Sequence, residues 1–371
     1  MEEGMVSDVE LLNYENRVLY TQKEMYLMNK QVQTNYGMLT GISSIDWFDN
    51  GNIKDCQVDE EIILDTPLGK LIPGYQNEGV RSKYIKSLAF YESGNVKKIA
   101  LQEQVVINTL AGAFNAELIT FYESGNVKRI FPLNGKITGY WTEENEYELA
   151  IPSKIILPFI EFESKIIGIH LYESGMFKSI TFWPKELLRL QYANAAYGVR
   201  YGISFYATGN IKSLEPAYPI RVKTPIGDII AFNVNAVGIN GDINSLQFYE
   251  DGSVKALMTS TDVISVQIII NNPDLSTTLG TPMGSCVKDN LSSIHDKNTK
   301  IILKPGLGKS MLGDEDMEII PLYIEFRGDE VMIRSDESYF FDIRHCNIEI
   351  SNNAFKPTIK CSSCANCNGC R

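Results

Sequence analysis

Histidine is scarce in this chain: His170, His295 and His345 are all that 371 residues contain. So little imidazole leaves acid–base chemistry to carboxylates, if there is any. Positive charge is also short, with 34 Lys and Arg against 46 Asp and Glu and a formal charge of -12. Such a field repels phosphate backbones and anionic headgroups, which counts against nucleic acid or bare membrane as partner. No apolar run reaches the roughly 18 to 20 residues that spanning a bilayer by helix needs. The opening Met1-Glu2-Glu3-Gly4 has neither the basic patch nor the apolar stretch of a secretion signal, so the expected location is the cytoplasm. Only Cys56, Cys286 and Cys346 occur in the body of the chain, as expected of small buried thiols. The odd total of seven cysteines favours reduced thiols or metal ligands over a disulfide framework.

What is abundant is material for strands. Nineteen Tyr and sixteen Phe accompany many Ile and Val, and such side chains suit a pleated, half-buried surface. With 44% hydrophobic and 22% charged residues the composition is globular, and the expected class is mainly β.

One phrase recurs six times: Trp47 to Lys54, Phe90 to Lys97, Phe121 to Lys128, Leu171 to Lys178, Phe205 to Lys212 and Phe248 to Lys255. The second copy reads Phe90-Tyr91-Glu92-Ser93-Gly94-Asn95-Val96-Lys97. Glycine supplies the positive φ of a tight turn or its adjoining bulge, and the aromatic and branched residues supply the flanking strands. Each copy is therefore expected to be a β-hairpin. A Thr-x-x-Gly element precedes four of them, at Thr34 to Gly37, Thr66 to Gly69, Thr109 to Gly112 and Thr224 to Gly227. There is a longer period too: Gly51, Thr66, Gly69, Gly94 and Lys97 each meet an identical residue 158 positions on, so 41 to 101 reads as duplicated in 199 to 259. Irregular spacing of the turn glycines places the largest insertion at about 133 to 158, where Gly139 to Tyr147 is aromatic and acidic and expected to form a surface loop.

The aromatic-Tyr-x-x-Gly-x-Val-Lys phrase is similar to the MORN-variant repeat, a short bacterial β-hairpin repeat, over roughly residues 40 to 260. The resemblance implies a repeat sheet suited to protein contacts and supplies no catalytic residues.

The expected organisation is an N-terminal segment (1–40), a hairpin-repeat domain (41–272), a small β module (285–355) and a cysteine-rich tail (356–371). Antiparallel hairpins are expected to stack as an extended sheet or solenoid, because one unit cannot bury its apolar face alone. Helix is expected to be minor, near 9 to 29 and at 184 to 193.

The main candidate for chemistry is the tail, in which Cys361, Cys364, Cys367 and Cys370 are separated by two residues each. That spacing lets sulfurs converge on Zn²⁺ or an iron–sulfur cluster, though the last interval departs from the bacterial ferredoxin run. A modified or plain thiol tail is the alternative, and His345-Cys346 is a further ligand source. Glu92, Glu123, Glu173 and Glu250 share one turn position, which suits solvation better than catalysis. The repeated lysines are expected to pair with them across strands. The row Tyr91, Tyr122, Tyr172, Tyr206 and Tyr249 is either packed sheet or an aromatic stripe for a partner. Gly306-Leu307-Gly308-Lys309-Ser310 ends like a phosphate loop but has Leu303 where its first glycine belongs. The function expected is a protein-interaction scaffold, with a metal-dependent or redox enzyme accessory, or a carrier whose tail is modified, as alternatives. A homo-oligomer is compatible with open sheet edges.

Overall fold

The computed structural model describes residues 21–76, 79–81, 83, 85–193, 195–238, 241–269, 300–309 and 317–352. The protein is mainly β, with antiparallel hairpins as its building element. It divides into two compact units, Met1–Ala150 with Glu173–Gly175, and Ile151–Tyr172 with Met176–Arg371.

Unit 1 opens with helix α1 (Gln22–Asn29), started by a Thr21–Glu24 capping box. Its strands are β1 (Val32–Thr34), β2 (Gly37–Leu39), β3 (Ile42–Trp47), β4 (Ile53–Val58), β5 (Leu64–Thr66), β6 (Gly69–Leu71), β7 (Leu88–Phe90), β8 (Val96–Thr109), β9 (Gly112–Phe121) and β10 (Val127–Phe131). A sheet runs in the order β10-β9-β8-β7-β4-β3, while β1–β2 and β5–β6 are separate two-stranded hairpins. α1 covers the β3–β4 end: Gln22 Oε1 accepts from Ile53 N–H at 2.9 Å, and the Tyr26 and Trp47 rings meet at 5.6 Å. The small hairpins turn Val32, Leu39, Leu64 and Leu71 inward, and the sheet buries Ile53, Leu88, Phe90, Ile99, Ile119 and Phe121. Tyr36 ties hairpin to sheet, its hydroxyl accepting from Val96 N–H at 3.1 Å.

Unit 2 begins with the hairpin β11 (Ser153–Leu157) and β12 (Ile160–Ser164). It continues with β13 (Ile166–Leu171), β14 (Phe177–Phe182), β15 (Leu188–Tyr192), β16 (Ala195–Phe205), β17 (Ile211–Pro216), β18 (Ile220–Thr224), β19 (Gly227–Ala231), β20 (Leu246–Phe248), β21 (Val254–Thr259) and β22 (Asp262–Ile268). The last strands are β23 (Lys300–Leu303), β24 (Gly306–Lys309), β25 (Met317–Ile320), β26 (Leu322–Arg327), β27 (Glu330–Arg334), β28 (Ser338–Asp342) and β29 (Cys346–Asn352). Its sheet runs β28-β27-β26-β21-β20-β17-β16-β14-β13 with β15 beside β16, and β18–β19 is the counterpart of β5–β6.

Several expectations change here. Residues 184 to 193 are not helical: β15 pairs with β16 from Leu188↔Val199 to Tyr192↔Ala195, and its alternating burial is that of a half-buried strand. Of the strands read as a separate C-terminal module, β26, β27 and β28 join the large sheet through β21, while β23 and β29 flank β22 in a sheet of three and β24–β25 form a hairpin of their own. Backbone groups of β21 and β22 are thereby satisfied by strands that follow far along the chain. The 133 to 158 insertion is not an open loop, because Glu143–Leu149 forms a second helix, α2, with Thr142 and Asn145 as its capping box. Gly306 to Lys309 is strand β24, paired with β25, which removes the phosphate-loop reading. Among the described residues no helix is long and apolar enough to cross a membrane.

Candidate functional site

The six repeated turns share one geometry. In each, the glycine N–H donates to the carbonyl three residues back, as Gly94 to Tyr91 at 2.9 Å, or the closing bond runs from the aromatic N–H across the turn, as Tyr172 to Met176 at 2.8 Å. The glycine has φ between 81° and 92°, a left-handed value that makes this a type I turn with a glycine bulge. A second bulge follows three residues on. Phe90 pairs with Val96 but Ala89 with Lys98, so Lys97 is the extra residue. The same shift isolates Lys54, Lys128, Lys178, Lys212 and Lys255.

Bulging sends each lysine over the ring of its own turn, with Nζ 5.3 to 6.0 Å from the centroid of Phe48, Tyr91, Tyr122, Tyr172, Tyr206 or Tyr249. The lysines therefore make cation–π contacts with their own rings, where pairing with the turn glutamates was expected. The rings in turn link successive hairpins. Tyr91 donates to Phe121 O at 2.8 Å, Tyr172 to Phe205 O at 2.9 Å, Tyr206 to Phe248 O at 2.8 Å, and Tyr249 to Phe326 O. A second rail uses the asparagine after the glycine. In unit 1 Asn52, Asn95 and Asn126 donate to the carbonyls of Glu92, Glu123 and Glu173 at 2.9, 2.8 and 3.1 Å. The tyrosines are thus half-buried linkers, while the glutamate side chains stay exposed along the row.

The Thr-x-x-Gly elements are the tight turns of β1–β2, β5–β6, β8–β9 and β18–β19. Each threonine hydroxyl donates to its glycine carbonyl at 2.6 to 2.9 Å and accepts the N–H two residues on.

A polar cavity of about 260 Å³ lies wholly within unit 1, where the segment after β6 crosses β4, β8 and β9. Arg81 is its electrostatic centre. The guanidinium donates to Glu117 at 3.1 and 2.7 Å and to Glu146 at 2.7 and 2.7 Å, a fork engaged on both sides. Glu146, brought in by α2, also accepts from Trp141 Nε1 at 2.6 Å and Gly135 N–H at 2.8 Å. A Cβ at Gly135 would stand 2.2 Å from the Glu146 carboxylate, so glycine is required there. Burial pushes the Glu146 carboxyl up, but Arg81, Trp141 and Gly135 outweigh it and hold the group below the usual range. Lys83 donates to Asn134 Oδ1 at 3.0 Å, and burial pulls its ammonium down against the attraction of Glu146. Gln102 Oε1 accepts from Tyr75 and Gln76 N–H at 2.8 and 3.0 Å, and Gln57 Oε1 from Ser87 N–H at 3.1 Å. Ser87 lines the same cavity, with its hydroxyl oxygen buried and without a partner.

Trp141 and Glu146 fall in the aromatic and acidic segment that the sequence marks, but Arg81, Glu117, Lys83 and the other cavity residues carry no local motif and are scattered along the chain. Of the residues that were, Cys361, Cys364, Cys367, Cys370, His295, Cys286 and Ser310 lie outside the described residues. Cys56 is fully buried and its thiol is pushed up to about 12 by burial, which makes it unreactive. Cys346 is half-buried, and the neighbouring His345 Nδ1 is engaged by Asp342 Oδ2 at 3.1 Å. No three metal-ligating side chains converge among the described residues. In unit 2, His170 Nδ1 and the Ser179 hydroxyl converge on one oxygen of Asp242. There the carboxylate, not the imidazole, accepts from the serine, which is not the relay of a serine nucleophile. The neighbouring bonds from Gly241 N–H to Thr181 and from Asn244 to Ser213, both 2.8 Å, show a loop pinned to the sheet. No protein-family model, curated protein or solved structure matches the chain.

Proposed function

We propose that the chain is a cytoplasmic repeat scaffold that binds a protein partner, not an enzyme. The observation carrying this reading is the turn row of unit 1, where Glu92, Glu123 and Glu173 are exposed while the Asn52, Asn95 and Asn126 side chains hold their carbonyls. Successive turns are two strands apart, so the carboxylates recur at roughly 10 Å. Fixed charges at a regular pitch suit a partner segment with basic residues, adding selectivity and encounter rate more than raw affinity. The MORN-variant resemblance points the same way. The test compares partners cross-linked in cells to the native chain and to the triple variant Glu92→Gln, Glu123→Gln, Glu173→Gln. Loss of a basic-segment partner at unchanged melting temperature supports the scaffold, and an identical partner set rejects this face as the docking surface.

The spacing of Cys361, Cys364, Cys367 and Cys370 favours a second reading, a zinc or iron–sulfur site in the tail. Metal analysis of anaerobically purified protein, intact and truncated after Lys360, decides it: stoichiometric metal lost with the tail supports the site, and metal-free protein in both forms removes it.

A further inference from the structure

The two duplicated blocks allow the unit 1 cavity to be read against its counterpart 158 residues on. The frame is the same: Gly74 N–H donates to Ala100 O at 2.9 Å and Phe232 N–H to Met258 O at 2.8 Å. Gln57 accepts from Ser87 N–H at 3.1 Å and Glu215 from Ser245 N–H at 2.8 Å. Two differences matter. Phe232 is fully buried, its ring 5.0 Å from the Arg200 guanidinium, whereas Gly74 leaves its place unfilled. Nothing in the backbone demands glycine at 74, because a Cβ there would meet nothing closer than 3.7 Å. The second difference concerns the serine. Glu215 accepts the Ser245 hydroxyl at 2.8 Å, but Gln57 has an amide NH₂ at that end, used on Val58 O and Gly74 O at 2.7 and 2.9 Å. The Ser87 hydroxyl is thereby left without a partner.

We propose that this cavity is a binding site for a small oxyanion, a molecule bearing a carboxylate or phosphate, kept open by Gly74 and anchored by Lys83. The wall holds several donors that are not engaged. Arg81 is consumed by Glu117 and Glu146, and no carboxylate among the described residues lies within 4.0 Å of Lys83. Lys83 has N–H capacity beyond its bond to Asn134, and the NH₂ groups of Asn134 and Gln102 make no bond of their own. Together they form a set that matches an acceptor-rich anion. A volume of about 260 Å³ restricts it to something smaller than drug-sized ligands.

The proposal is independent of the scaffold reading, and the full chain tests it. Calorimetric titration uses glucuronate, inorganic phosphate and glucose as probes. One of the two oxyanions should bind at millimolar concentration or tighter, which also decides between carboxylate and phosphate, and glucose should not. Lys83→Met should weaken binding about tenfold or more, as expected when a charge-assisted hydrogen bond is lost. Gly74→Phe, the residue of the second block, should abolish it. If that variant is not folded by its thermal transition, Lys83→Met decides alone. Binding of neither oxyanion, equal binding of glucose, or undiminished binding in Lys83→Met would each overturn the proposal.

Discussion

Blocks 41 to 101 and 199 to 259 are built on one plan and differ in what fills it. β4 and β17, β7 and β20, and the starts of β8 and β21 coincide at the 158-residue offset, and Lys97 and Lys255 are both bulge residues. The elements that keep their identity are those that satisfy backbone: turn glycines, threonine caps, and the tyrosine bonds of Tyr91 and Tyr249 to the next hairpin. The positions that diverge are side chains beneath the sheet, Gly74 against Phe232 and Gln57 against Glu215. The same strand plan is therefore packed solid in one block and keeps a polar cavity in the other.

The largest expected effect comes from emptying the packed copy. Phe232→Ala should cost about 3 to 5 kcal/mol, since a fully buried ring is removed and its neighbours can close only in part. Thermal or urea unfolding of the variant checks it. A loss under about 1 kcal/mol would mean the second block tolerates the same opening as the first, and the contrast between the blocks would lose its energetic basis.

How much of this was legible follows from range. The hairpins were readable because a positive-φ glycine and a threonine turn are decided within about four residues. The 158-residue offset of matching residues was visible for the same reason, through identities at those turns. The role of the lysines was not, because a bulge is a property of pairing between strands: the sequence shows Lys97, but only the shift from Phe90↔Val96 to Ala89↔Lys98 turns it onto Tyr91. α2 did leave a signal, the Thr142 to Asn145 capping pair, overlooked beside the aromatic and acidic composition. β15 left one as well, since Leu188, Leu190 and Tyr192 alternate with polar residues. Of the cavity only the Trp141 and Glu146 segment was marked, because the charges around Arg81 are gathered from three distant segments.

A middle-sized effect tests the other divergent position. Burial pushes the Glu215 carboxyl up to about 6 from 4.5, against the lowering influence of Ser245 and Arg200. A group whose folded value is raised holds its proton longer in the native state, so its contribution is present below about 4.5 and is lost as pH rises through about 6. The change over that window is about 2 kcal/mol, taking roughly 1.4 kcal/mol for each unit. Glu215→Gln, which installs the residue of the first block, should flatten this part of the stability–pH curve and leave the rest unaltered. A slope unchanged by the substitution would show that Glu215 is not the group responsible.

The smallest effect belongs to what the blocks share. Tyr91→Phe and Tyr249→Phe each delete one hydroxyl that donates to a carbonyl of the next hairpin, at Phe121 and Phe326. Ring packing and the lysine contact survive the change, so each variant should lose only a single hydrogen bond, about 1 kcal/mol. The physical point is the equality of the two losses, because the rung is built identically in both blocks whatever lies beneath the sheet. Urea unfolding of the two variants measures it. A clear loss in one with none in the other would mean that the packed and the open copy do not share the same rail, and that Phe232 stabilises its block through the turns as well as the core.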